Sequence, residues 1–295
     1  MSIFQVIIAS IKDYRNYNPL ALASSTAFFS LFALPPILII ISKVLGTFTT
    51  PDLISGELFS QLSSYFGDKT ANQIKVVFEN FQSIADAPLT SILVFVFMMF
   101  VATTLFKLIK DSINLLWGFK PKANQPFLTA IFERLLSFIL LIIAGVIFLF
   151  SLVSDTFLTF LGSFVAQYNP DWNILLIKSI NALFSILSIS LWFSLLFKVL
   201  PNAKIKIKPA VIGGFFTSIL FTIGKFILGR VLINSNIDSI FGASGSVVLL
   251  LLFVFYSSLI FYFGAVFTNN YASAINQEVK PGFYAVKVNT SEVKL

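Results

Sequence analysis

Six stretches of this chain are apolar over roughly the length that a bilayer demands, and no other feature constrains the fold as much. A spanning helix needs about 20 mostly apolar residues; residues 20–45, 89–106, 135–160, 180–200, 209–232 and 247–267 meet or approach that length. Only 11% of the side chains are charged, and 36 residues are Phe, whereas about a quarter of a soluble chain is charged. Too few polar groups remain to cover a water-soluble domain, so most of the surface must face lipid. The expectation is an all-α integral membrane protein in one domain, with six transmembrane helices in residues 20–267 and a tail at 268–295.

Two further helices are expected outside the spans. In residues 1–19, Ile3, Phe4, Ile7, Ile8, Ile11 and Tyr14 recur at helical spacing, with Lys12, Asp13 and Arg15 on the polar side. That pattern suits a helix lying in the membrane interface; a signal peptide would show a basic start, a long apolar core and a cleavage site. In the external loop 46–88, Thr70 and Gln73 resemble a capping box, and Ile74, Val77, Phe78, Phe81 and Ile84 form a stripe. This segment reads as a short helical loop over the bundle mouth.

The charges give an orientation. Placing the N-terminus in the cytoplasm puts 14 Lys and Arg and 5 acids inside, against 6 and 8 outside. The positive-inside rule then makes both termini cytoplasmic. Basic loops of this kind meet anionic head groups. The run Lys204-Ile205-Lys206-Ile207-Lys208 lacks interleaved aromatics, so no nucleic-acid partner is expected.

The chemical inventory is narrow. With no Cys and no His, thiolate nucleophiles are excluded, along with the commonest metal ligand and general base. No P-loop, dinucleotide fingerprint or nucleophile elbow appears; Gly242-Ala243-Ser244-Gly245 lacks the strand-turn-helix setting of the last. The expectation is a non-enzyme with no catalytic residues, no metal site and no cofactor.

Ionisable residues inside a span are costly and are functional candidates by default. Lys225 follows Gly224 in the fifth span, about 24 Å from Pro209 at 1.5 Å per residue, and Arg230 lies further out. These two read either as side chains snorkelling to the outer interface or as a cationic site for an anionic ligand. Asp155, near the outer end of the third span, is a candidate partner. Ala210, Gly214, Ser218 and Thr222 at four-residue spacing make one face of the fifth span small, which suits a packing seam within the bundle or a homo-oligomer. Gly213, Gly224 and Gly264 add packing or hinge positions, and Pro35 and Pro36 predict a kink in the first span. Ser24, Ser25 and Thr26 are expected to bond back to carbonyls. Asn114 and Asn181 are expected to join helices, with Trp117 at the cytoplasmic interface.

Three blocks resemble the YihY/BrkB family of bacterial inner-membrane proteins. They are Ala27-Phe28-Phe29-Ser30-Leu31-Phe32 running to Pro36; Leu200-Pro201-Asn202 with Pro209 through Gly213; and Phe241-Gly242-Ala243-Ser244-Gly245 with Gly264-Ala265. Order and spacing extend the resemblance over nearly the whole chain. Phe241, Phe253 and Phe255 stand where the family more often has Tyr, Trp and Tyr, and Val266 where it often has a glutamate. The resemblance implies a six-helix inner-membrane protein. Its labels include a tRNA-processing ribonuclease and a serum-resistance virulence factor, and transport has been suspected. The ribonuclease label fits poorly: Asp52/Glu57 and Asp68 with Glu79 fall on the outer side, leaving Asp111 and Glu133 in the cytoplasmic loops, too few for a two-metal site.

Two readings follow. One is a transporter or flippase-like protein for an anionic lipid or amphiphile, using Lys225 and Arg230. The other is a non-transporting scaffold or envelope-maintenance factor, with membrane lipids as its surroundings.

Overall fold

A computed structural model of the chain describes residues 2–45, 56, 58–60, 62–63, 68–84, 88–122, 129, 131–147, 150, 170–233, 241 and 245–288. Helix dominates. The elements are α1 (Ile3–Arg15), α2 (Pro19–Leu45), α3 (Asp68–Ile84), α4 (Pro88–Leu116), β1 (Phe119–Pro121), α5 (131–147), α6 (Pro170–Val199), β2 (Ala203–Lys204), α7 (Ile207–Ile233), α8 (Gly245–Ala274), β3 (Lys280–Pro281) and β4 (Ala285–Lys287). Four helices among the described residues are long and apolar enough to cross a membrane: Pro19–Ser42, Ala182–Val199, Ile207–Leu228 and Val247–Ala274. The second expected span falls in α4, and the described part of the third falls in α5.

α6 and α7 are turned as a lipid solvent would require. On α7, Ala210, Gly214 and Ser218 are buried while Val211, Phe215, Ile219 and Ile223 are exposed. On α6, Ser190 and Ser194 are buried while Leu183, Leu187 and Leu191 face outward. Small residues let backbones approach, and large apolar side chains lose nothing by facing hydrocarbon. In water the same surface would be a very large apolar patch.

The last helix is the axis of the fold. α8 packs against α1, α2, α3, α4, α6 and α7, while α6 and α7 make the most extensive helix pair. Its core carries Phe261, Tyr262, Ala265, Val266 and Phe267, with Phe261 stacked on Phe197 of α6 at 5.2 Å and Phe267 on Phe216 of α7 at 3.8 Å. Val266, at the position where the family often has a glutamate, is 3% exposed and part of this apolar core. α8 also continues past Phe267, the end of the sixth apolar stretch, to Ala274.

One end of the bundle is tied by short strands. β1 pairs antiparallel with β4, and β2 with β3. The tail thereby bridges the α4–α5 and α6–α7 connections. Gly118, at φ +71, turns α4 directly into β1, a conformation that favours glycine. α1 docks at the same end: Tyr14 donates to the Leu259 carbonyl at 2.9 Å, and Asn270 donates to Asp13 at 2.8 Å. Ser2 and Gln5 cap α1 reciprocally. Val6 and Ser10 face α8, leaving Ile3, Phe4, Ile8 and Ile11 exposed.

α3 starts at Asp68, so Thr70 lies inside its first turn rather than at an N-cap. Ile74 and Phe78 are buried as its stripe requires, whereas Val77 is 40% exposed. The side chains of Phe81 and Ile84 lie outside the described residues.

Candidate functional site

Buried polar groups occur on every helix of the bundle, and α4 carries the buried cation among them, Lys110. Thr103, Lys110 and Asn114 lie on one buried stripe of α4. Arg134 of α5 donates to Thr103 Oγ1 at 3.1 Å and sits over the Phe100 ring at 4.5 Å. Glu133 is ion-paired with Lys110, which is only 5% exposed. Asn114 Oδ1 accepts from the Asn202 backbone N–H at 2.8 Å and so holds the α6–α7 loop. Three long-range polar contacts thus fix α4 to its neighbours. Glu133, expected in a cytoplasmic loop, lies with Arg134 on α5, which is already helical at residue 131, and Lys110 lies on α4, which continues past its apolar run to Leu116.

A second node centres on Tyr262. Its hydroxyl is 2.6 Å from Thr26 Oγ1, which also donates to the Leu22 carbonyl at 2.9 Å. Ser25 bonds back to the same carbonyl. Trp117, expected at the interface, is instead buried and donates from Nε1 to the Ala265 carbonyl at 2.8 Å. A buried indole N–H requires such a partner.

The glycines serve close approach. Gly213 of α7 faces Thr268 of α8, and Gly264 of α8 faces Thr217 of α7, a reciprocal pair of contacts. Each Thr hydroxyl bonds back to the carbonyl of the glycine four residues earlier in its own helix. Gly214 faces α6: a methyl there would lie 2.6 Å from the Ser194 amide nitrogen and 2.8 Å from the Ser190 carbonyl. Gly224 rests against Tyr256 and Ile260. Thr222 is half-buried on the same helix and bonds back to Ser218.

Of the expected cationic site, Lys225 is half-buried on α7, inside the apolar window Ile207–Leu228. Asp155 and the side chains of Arg230 and Asn181 lie outside the described residues. Pro35 and Pro36 both lie inside a continuous α2. Pro35, with Leu31 and Leu34, borders an open, largely apolar recess of about 240 Å³ that Thr70, Gln73, Ile74 and Val77 of α3 and Val247 and Leu250 of α8 also line. Nothing in the apolar composition of these helices pointed to this recess, since it depends on how α3 leans on α2 and α8.

Outward-facing apolar stripes, buried small residues and four membrane-length helices define a multi-span helical membrane protein. Residues 10–285 match the family described as Virulence factor BrkB, and the chain belongs to that family. A UPF0761 membrane protein of Saccharophagus degradans is 28% identical over 85% of this chain, and one of Alteromonas mediterranea is 23% identical over 91%. This chain covers 55% of the length of the first and 88% of the second. A relative from Teredinibacter turnerae is 25% identical, with 58% of its length covered. No solved structure matches.

Proposed function

We propose that the protein is a non-enzymatic six-span protein of the bacterial inner membrane, with cytoplasmic termini and α1 in the interface, that binds and moves an anionic lipid or amphiphile. The observation that carries this reading is Lys225, a cation held half-buried inside an otherwise apolar membrane-length helix. A charge at that depth is costly and is retained where it meets a ligand or counter-charge. The recess at Pro35 supports the amphiphile part, because its apolar walls suit an acyl chain. Movement would draw on an ion gradient or on mass action. The orientation is supported by the single end at which α1, the two lysine-bearing connections and the tail meet.

The test is native mass spectrometry with lipid analysis on protein in nanodiscs, comparing wild type with Lys225→Met. Enrichment of one anionic species in wild type and its loss in the variant is the expected result. Bulk lipid composition in both would refute the site. The scaffold reading would then stand, favoured by the glycine seams that lock α6, α7 and α8 together.

A further inference from the structure

We propose that the tail strands and the two connections they pair with form a basic, aromatic-tipped platform that grips the anionic head groups of the leaflet at that end of the bundle. This goes beyond the Lys225 ligand site and shares with it only the placement of the helices across a bilayer.

The platform exists only in the folded chain. β4 brings residues 285–287 onto β1, and β3 brings residues 280–281 onto β2. Lys120 and Lys122 come from the first connection, Lys204 and Lys206 from the second, Lys208 from the first turn of α7, and Lys280 and Lys287 from the tail; all are exposed. Glu278 is the one acid in residues 117–122, 200–208 and 275–288. Two large apolar side chains stand out among these cations, Phe283 at 75% exposure and Ile207 at 70%. Lys122 Nζ lies 5.6 Å from the Phe283 ring centre.

Depth selects the partner. The apolar windows stop at Val199, resume at Ile207 and stop again at Ala274. The lysines of the second connection therefore lie within a few residues of the hydrocarbon edge, and strand pairing holds those of the tail at the same level. That is the head-group layer, where cations meet anionic lipid and exposed Phe and Ile reach the acyl boundary. A nucleic acid would use the lysines but leave Ile207 in water.

The test is amide hydrogen exchange on the full chain in nanodiscs of phosphatidylcholine alone or mixed with phosphatidylglycerol. The reporters are the Lys122, Gly282 and Val288 amides, which donate across the strands to Tyr284, Asn202 and Gly118. Anionic lipid should slow their exchange by about tenfold or more, given the attraction of each lysine to the surface. Lys122→Gln/Lys280→Gln/Lys287→Gln should abolish the difference, the corresponding Arg variant should keep it, and unchanged α7–α8 amides report correct folding. Equal exchange in the two lipids overturns the proposal. Protection in phosphatidylcholine by added RNA, with no effect of phosphatidylglycerol, overturns it in favour of a nucleic-acid surface. Lys225→Met should leave the lipid dependence of the tail intact, which separates this result from that of the ligand site.

Discussion

Replacing Gly214 by Ala tests whether α6 and α7 are held together by backbone proximity. The added methyl would meet the Ser194 amide nitrogen at 2.6 Å and the Ser190 carbonyl at 2.8 Å. Ordinary carbon contacts lie at about 3.5–4.0 Å, so the helices must separate by nearly 1 Å, or both must bend. Overpacking of this kind costs typically about 1–3 kcal/mol, and α6–α7 is the most extensive helix pair among the described residues. A midpoint loss of several degrees follows, at about 2–4 °C per kcal/mol. The assay is fluorescence-detected size exclusion after heating in detergent. Ser194→Ala should not rescue Gly214→Ala, because the amide and carbonyl remain. Thr268→Ala should partly rescue Gly213→Ala, because two of the three atoms met there are the Thr268 Oγ1 and Cγ2. Wild-type stability of Gly214→Ala, or full rescue by Ser194→Ala, would refute the reasoning.

Other outcomes follow from single contacts. Lys110→Ala leaves Glu133 half-buried without its partner and should cost about 3–5 kcal/mol, whereas Lys110→Met/Glu133→Leu should recover most of that loss; thermal denaturation of the three proteins checks the pattern. Trp117→Phe removes the indole bond to the Ala265 carbonyl and should cost about 1 kcal/mol in the same assay. Burial first, then the nearby Tyr262 hydroxyl, raises the Tyr14 pKa above the usual tyrosine value. The folded state therefore resists losing that proton, and stability should fall as pH rises above about 10, where an unfolded tyrosine ionises. Tyr14→Phe should flatten that part of a melting-versus-pH curve, and an unchanged slope would contradict the assignment.

Much of the architecture was legible from local pattern. Bilayer length marked six stretches, four of which are membrane-length apolar helices among the described residues, and 3.6-residue periodicity marked α1 and α3. The small stripe Ala210, Gly214, Ser218 and Thr222 was visible because spacing on one helix is a local property. Which helix it meets was not: Gly213 and Gly214 are adjacent in sequence yet turn to different partners, α8 and α6. Glu133 was read as a loop charge because α5 is helical from residue 131, ahead of the apolar stretch that begins at 135.

The sequence by itself determined the solvent, since 57% hydrophobic and 11% charged residues leave lipid as the medium for most of the surface. It also determined the periodicity of each helix, because both properties are sums over neighbouring residues. Tertiary structure alone decided that α8 is the axis, that Trp117 is buried against Ala265, and that the tail joins two distant connections. Those features depend on contacts between distant residues, 168 positions apart for Phe119 with Lys287 and 257 for Asp13 with Asn270. Hydropathy and helical spacing carry no term for pairs so far separated.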